Sequence, residues 1–214
     1  MQDWISHLYS NEQMLDMGHH QRKEDLNLGL GWLYYGLVRN LRPQRVVVIG
    51  SWRGFTPLVC ARAMQDNLEH GELIFIDPSL VDEQWADAQK VAEYFAGYGV
   101  DNIRHFRMTT QEFAKSKEYR NLGEIGLLFV DGYHSAEQAR FDHEAFEPML
   151  GETGIALLHD SIRPLVSNIY GAERQYMHTV YRYIEELREA GQHQVFDFPF
   201  ASGVSLVQRL IRKD

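Results

Sequence analysis

The chain has 214 residues, 30 of them Asp or Glu and 21 Lys or Arg, for a formal net charge of −9. That length suits one compact domain, able to bury roughly 70 % of its unfolded surface. The single cysteine, Cys60, excludes an internal disulfide framework, the acidic balance argues against nucleic acid, and no apolar run approaches the ~20 residues of a membrane span.

Residues 1–23 read as an N-terminal extension. Their opening, MQDWISHLYS, lacks the basic and apolar regions of a signal peptide, so a cytoplasmic chain is expected. His19-His20 lies in the polar stretch GHHQRKE and reads as surface. Leu26, Leu30, Leu33, Leu37 and Leu41 recur at helical steps, which predicts a helix over 24–41 stopped before Pro43. A core over 42–214 then alternates strand and helix. Val46–Gly50 is a β-branched run ended by glycine, and Thr56-Pro57 resembles a helix start running to about Leu68. Leu73–Asp77 is the second strand, and a helix carrying Trp85, Ala88, Ala92 and Phe95 ends at Gly97 and Gly99.

Ile103–Met108 is a weaker third strand, followed by a capping-box signal, Thr109-x-x-Glu112. Ile125–Asp131 is the fourth strand. Ser135-x-x-Gln138 caps a helix to about Leu150, and Gly154–His159 is the fifth strand. A helix with Val180, Ile184 and Leu187 ends at Gly191. Val195–Phe200 and Val204–Val207 then flank a short turn and must pair antiparallel. Apolar strands alternating with helices predict an α/β Rossmann-like sandwich around a mostly parallel sheet.

In such a sheet, ligands bind beyond the carboxyl ends of the strands. Those ends carry Gly50-Ser51-Trp52-Arg53-Gly54, Asp77, Asp131 and His159-Asp160. Trp52 stands where a dinucleotide fingerprint needs its second glycine, and no Lys-Ser/Thr of a P-loop follows Gly54. A glycine turn into a helix N-terminus suits a carboxylate, and Asp77 suits a ribose diol. That pair fits S-adenosylmethionine better than NAD.

With these residues in place the sequence resembles the class I S-adenosylmethionine-dependent methyltransferases over roughly residues 25–210. It looks most similar to a small bacterial O-methyltransferase-like group that includes cephalosporin hydroxylase and macrocin O-methyltransferase. The matching segments are RPQRVVVIGSWRG (42–54), Phe75-Ile-Asp77-Pro78, Leu128–Ser135 with its D-G-x-H-S turn, Asp142, Pro148–Leu150, and Gly154–Ser161. The resemblance implies a seven-stranded sheet with the final hairpin at one edge. It implies that Gly50, Ser51, Trp52 and Gly54 hold the methionine part of the cofactor and Asp77 the ribose. Adenine would lie near Thr109, Thr110 and Gln111, with Asp131 also facing the cofactor. Family members commonly carry an acid two positions before the first glycine, where this chain has Val48.

Methyl transfer to a hydroxyl needs near-attack geometry and loss of the hydroxyl proton. His134 or His159 could act as base. Alternatively, Asp131, His159 and Asp160 could bind a divalent cation, Mg²⁺ if oxygen dominates, or Mn²⁺, Fe²⁺ or Zn²⁺ if imidazole joins. Related metal-dependent enzymes carry Asp-Asn after the fifth strand, where this chain has Asp160-Ser161. The segment 162–178, with Arg163, Tyr170, Arg174 and Tyr176, is expected to overhang the site and select the acceptor. The expected activity is O-methylation of a small hydroxylated metabolite, with oligomeric state left open. The alternative is a non-catalytic cofactor-binding or regulatory protein on the same fold, motivated by Val48 and Trp52.

Overall fold

The computed structural model of the protein describes residues 1–210. The last four residues of the expected 42–214 core lie outside the described residues. The chain opens with α1 (Gln2–Leu8), which buries Trp4, Ile5 and Leu8. Helix α2 (Gly31–Leu41) starts seven residues later than its leucine spacing predicts. Leu26 and Gly29 have φ of 55° and 57°, and an Arg22–Asn27 bridge closes residues 22–27 into a turn. Leu26 still packs on the core, so its position in the leucine series is a tertiary contact rather than a helical one. At Gly29 a Cβ would meet the His19 carbonyl oxygen at 2.2 Å, so only glycine lets the two segments cross there.

Next come β1 (Arg45–Ile49), α3 (Phe55–Gln65), β2 (Glu72–Ile76), α4 (Ala88–Gly97) and β3 (Ile103–Phe106). Helix α3 is capped by Gly54 in the left-handed region rather than by Thr56. Helix α4 is capped by Asp87, which accepts from the Gln89 and Lys90 amides. Trp85 precedes that helix and stacks on Phe95 within the core. Two short helices follow, α5 (Thr110–Phe113), with the Thr109–Glu112 capping box formed, and α6 (Lys117–Arg120). Then come β4 (Ile125–Val130), α7 (Ala136–Phe146) capped by Ser135, and β5 (Leu150–His159). The overhanging segment contains a small hairpin, β6 (Leu165–Ser167) with β7 (Tyr176–His178), that the sequence pattern did not reveal. Helix α8 (Val180–Ala190), β8 (His193–Phe198) and β9 (Val204–Arg209) complete the described chain.

The main sheet has seven strands in the order β3-β2-β1-β4-β5-β9-β8. Strands β1 to β5 are parallel, and β9 runs antiparallel to both β5 and β8. The period-two alternation of strand side chains divides the core into two layers. Val46, Val48, Leu73, Phe75, Leu127 and Phe129 face α1 to α4, while Val47, Ile49, Ile74, Ile76, Leu128 and Val130 face α7 and α8. Burial on both faces is what makes these strands continuous apolar runs in sequence. Strand order reverses between β1 and β4, and Ile49 is in register with both Ile76 and Val130. The loops after β1, β2 and β4 therefore emerge side by side.

Among the described residues no helix is long and apolar enough to cross a membrane.

Candidate functional site

The crevice beyond β1 and β4 opens into a cavity of about 730 Å³, within the ordinary range for small-molecule sites. Gly50 forms its floor with φ of 70°, and a Cβ there would sit 2.4 Å from the Asp131 carbonyl oxygen and 2.5 Å from Gly132 Cα. Glycine is thus required by the approach of the β4 loop. Ser51, Trp52, Asp77, Thr109, Thr110, Gln111, Asp131, His134, His159 and Asp160 all line the same cavity. Gly54 is not in the lining. It caps α3, and its Cα faces Trp85 and Phe95.

Trp52 lines the cavity without filling it. Arg53 covers its ring, with the guanidinium carbon 4.6 Å from the centroid, and is held by Asp82 and Gln13. The indole Nε1 and the Ser51 hydroxyl are buried without a partner beside the cavity. Asp77 accepts the Ser79 amide at 2.7 Å, and burial pushes its carboxyl up to about 6. Burial likewise raises Asp142 to about 6, although Gln138 donates to it at 2.7 Å. Asp142, to which the sequence assigned no role, lines the wall near Thr110.

At the β4 and β5 ends, imidazoles and carboxylates crowd together. His159 Nδ1 lies 2.7 Å from Asp131 Oδ1 and 3.5 Å from Asp160 Oδ1. His134 Nε2 lies 3.5 Å from Asp160 Oδ2 and 3.9 Å from Asp131 Oδ1. His178 Nδ1, at the end of β7, lies 2.7 Å from Asp160 Oδ2. Asp160 holds this place with φ of 53°, a left-handed conformation that Asp tolerates better than most residues. Burial holds His134 down at about 4. Burial also disfavours a charged His159, but Asp160 and Asp131 outweigh it and raise that imidazole to about 9. For Asp160, burial works upward, yet the facing histidines hold it well below the usual carboxylate range.

The expectation that His19 lies on the surface is overturned. His19 is fully buried, stacked on Phe55, with its ring centroid 4.2 Å from that of His159. Its Nδ1 pairs with the Tyr34 hydroxyl at 2.9 Å, and its Nε2 lies 3.9 Å from Asp131 Oδ2. The preceding residue ties the segment down. The Gly18 carbonyl accepts from His159 Nε2 at 3.2 Å and from the Ser202 hydroxyl at 3.3 Å.

Ligand-capable atoms close into two compact groups, His19-Asp131-His159 and His134-His159-Asp160, which share His159. The expected ligands Asp131, His159 and Asp160 are thus all at one place, but divided between these groups.

Residues 47–161, more than half of the chain, match a family model described as a methyltransferase domain. The chain belongs to this methyltransferase family.

This chain is similar in fold to the SAH-bound methyltransferase PaMTH1 of Podospora anserina (TM-score 0.62, 18 % identity, 96 % of this chain and 88 % of that one). It is also similar to the O-methyltransferase TomG of Streptomyces achromogenes, involved in tomaymycin synthesis and solved with SAM (TM-score 0.65, 14 % identity, 97 % and 88 %). A curated relative, the uncharacterized protein y4gI of Sinorhizobium fredii (strain NBRC 101917 / NGR234), is 24 % identical over 182 residues, 82 % of this chain. The chain spans 19 % of that relative's length.

The family resemblance leaves Val48 to be explained. Val48 is fully buried, with Phe75 and Phe129 as its register neighbours in β2 and β4. An acid there would displace part of the core between β2 and β4. The sequence reading also missed His178, because a histidine ending a three-residue strand carries no local signal. Tyr170 and Tyr176 of the overhanging segment do line the cavity, and Tyr133, to which the sequence assigned no role, stacks on Tyr176 with centroids 4.4 Å apart. Arg163, in the segment expected to overhang the site, is exposed, donates to the Ala201 carbonyl and is not part of the cavity lining.

Proposed function

We propose that this chain is an S-adenosylmethionine-dependent O-methyltransferase acting on a small hydroxylated metabolite. The observation that carries the proposal is the single cavity at the strand-order reversal, shared by the Gly50 loop, Asp77, Thr110 and the histidine–carboxylate cluster. The loop side suits the cofactor. The N-terminus of α3 has no side-chain cap and favours the methionine carboxylate. The unpartnered Ser51 hydroxyl and Trp52 Nε1 offer further hydrogen bonds to it. Asp77 takes the ribose diol. Thr110 and Gln111, with Asp142 behind them, face the adenine.

The cluster side suits the acceptor. Tyr133, Tyr170 and Tyr176 give it an aromatic wall, which favours a phenolic or catecholic ring over an open-chain alcohol. In the transfer, a lone pair of the acceptor oxygen attacks the methyl carbon as the carbon–sulfur bond breaks. The hydroxyl proton leaves the acceptor, and neutral S-adenosylhomocysteine is released. Either His134 or His159 could take that proton, but one is held far below neutrality and the other far above it, where a general base works poorly. The donor set fits a divalent cation instead, with Asp131, His159 and Asp160 as the residues to hold it. Such an ion supplies Lewis-acid stabilisation of negative charge on the acceptor oxygen. The chain's own part is to align acceptor and methyl and to exclude water.

The Asp131–Ser135 turn and the His159-Asp160 strand end also support the narrower grouping with cephalosporin hydroxylase and macrocin O-methyltransferase. The test is calorimetry with S-adenosylhomocysteine, followed by methyl transfer from labelled S-adenosylmethionine to a panel of catechols and hydroxylated sugars. Saturable cofactor binding and a methylated catechol are expected. Failure to bind S-adenosylhomocysteine overturns the reading. Binding without any methylated product favours the non-catalytic alternative.

A further inference from the structure

His178 is 7 % exposed, yet both of its ring nitrogens lack a hydrogen-bond partner. His159 Nδ1 is buried and unpartnered in the same sense. Each of these Nδ1 atoms nevertheless lies 2.7 Å from a carboxylate oxygen. The oxygens stand close by but off the N–H direction, so the contacts are crowded without being aligned hydrogen bonds. A buried polar atom left unmatched costs about 1–3 kcal/mol, and the carboxylates at 2.7 Å offset part of that cost for the two Nδ1 atoms and none of it for His178 Nε2.

Atoms that share a cation are arranged in this way. They aim at a common point and approach one another sideways. With bonds of about 2.1 Å, neighbouring ligands of a six-coordinate ion lie about 3.0 Å apart and opposite ones about 4.2 Å. Of the five acid–imidazole distances among Asp131, His134, His159, Asp160 and His178, three (3.5, 3.5 and 3.9 Å) fall in that interval, and the two Nδ1 contacts at 2.7 Å are somewhat closer. Three of the five donors are imidazoles. The most compact trio around Asp160, with His134 and His159, is two histidines and one carboxylate. Oxygen-rich sites suit Mg²⁺, whereas imidazole favours first-row transition metals.

His178 also has a distinct structural position. It ends β7, and the next residue, Thr179, donates its amide to the His134 carbonyl at 2.8 Å, while the Thr179 hydroxyl accepts from the Ala136 amide at 2.9 Å. These bonds bring the His178 ring beside His134, centroids 4.4 Å apart and planes tilted by 32°. The hairpin that carries His178 also carries Tyr176 of the acceptor wall.

We propose that His178 is a ligand in a histidine-rich centre with Asp131, His134, His159 and Asp160, that this centre takes a first-row transition-metal ion in preference to Mg²⁺, and that the ion fastens the β6–β7 hairpin to the sheet edge. This inference rests on the metal-assisted part of the proposed function and not on its cofactor part.

The test uses the full chain stripped by a chelator, titrated with Zn²⁺, Mn²⁺ and Mg²⁺ by calorimetry and loaded with Co²⁺ for visible absorption. Zn²⁺ is expected to bind at least ~10-fold more tightly than Mg²⁺, and hydrogen exchange over 165–178 should slow on loading. His178→Ala should weaken Zn²⁺ by about 10–100-fold, change the Co²⁺ spectrum and abolish the added protection of the hairpin. S-adenosylhomocysteine binding should remain. If melting shows that variant unfolded, His178→Gln, which keeps most of the volume, takes its place. Mg²⁺ binding as tightly as Zn²⁺, or a variant with unchanged affinity and spectrum, overturns the inference. So does the absence of any ion uptake in a chain that still binds S-adenosylhomocysteine, an outcome that leaves the cofactor reading standing. Ion uptake without S-adenosylhomocysteine binding strikes the functional reading and spares this one.

Discussion

Gly50 ties the loop after β1 to the strand on which the acid–histidine cluster is built, and Gly50→Ala tests that joint. The substitution places a Cβ 2.4 Å from the Asp131 carbonyl oxygen, 2.5 Å from Gly132 Cα and 2.7 Å from the Asp131 carbonyl carbon. All three are backbone atoms, so no side chain can swing aside. The φ of 70° adds left-handed strain, about 1–3 kcal/mol for a residue other than glycine. Overpacking contributes a similar amount, giving about 2–6 kcal/mol in total. At about 2–4 °C per kcal/mol for a chain of this size, the melting temperature should fall by at least ~5 °C. S-adenosylhomocysteine affinity should fall with it as the two loops part. Gly36→Ala is the matched control. Gly36 lies within α2 with nothing within 4 Å of a built Cβ, so alanine there should stabilise by about 0.5–1 kcal/mol. A Gly50→Ala protein that melts within ~2 °C of the parent and binds S-adenosylhomocysteine unchanged refutes the reasoning.

Three further outcomes follow from buried polar groups. Asp77→Asn should lower S-adenosylhomocysteine affinity by about tenfold, the loss of charge-assisted bonds to the ribose. In the parent, affinity should also decline from pH 8 to pH 5 as Asp77, raised to about 6 mainly by burial and further by Asp82 and Asp131, takes up a proton; calorimetry at both pH values should show that step lost in the variant. Asp142→Asn should stabilise the fold at pH 8 in thermal melts, by up to about 3 kcal/mol, because burial raises the folded carboxyl to about 6 and leaves an unfavourable buried charge above that pH. At pH 5, where the parent carboxyl is largely protonated in the folded state, the gain should shrink, and an equal gain at both pH values would contradict the burial argument. His19→Ala should destabilise by about 2–4 kcal/mol in thermal or urea melts, since it opens a cavity beside Phe55 and leaves the buried Tyr34 hydroxyl without its partner.

The strand ends were legible because each parallel strand is a β-branched or aliphatic run closed by glycine or an acid. Gly50, Asp77, Asp131 and Asp160 follow their strands as the sequence pattern implies. The Thr109–Glu112 box and the Ser135 cap were legible for the same local reason, since a cap acts within one turn of its helix. His19 was not. Its neighbours in sequence are polar, and its burial comes from Tyr34, Phe55 and His159, none of which lies within ten residues. His178 and the β6–β7 hairpin escaped because a three-residue strand is too short to show a period. The start of α2 was misplaced because positive φ at Leu26 is set by a turn that leucine spacing cannot report.

The bond network at Gly18 has a consequence for the order of biosynthesis. Its carbonyl waits for partners 141 and 184 residues further along the chain, His159 and Ser202. Contacts of such separation form late and slowly, so a nascent polypeptide still short of β9 holds an open, unsealed pocket. Ribosome stalling or proteolytic clipping ahead of Ser202 would then leave the Gly18 carbonyl with His159 alone and β5 without its antiparallel neighbour.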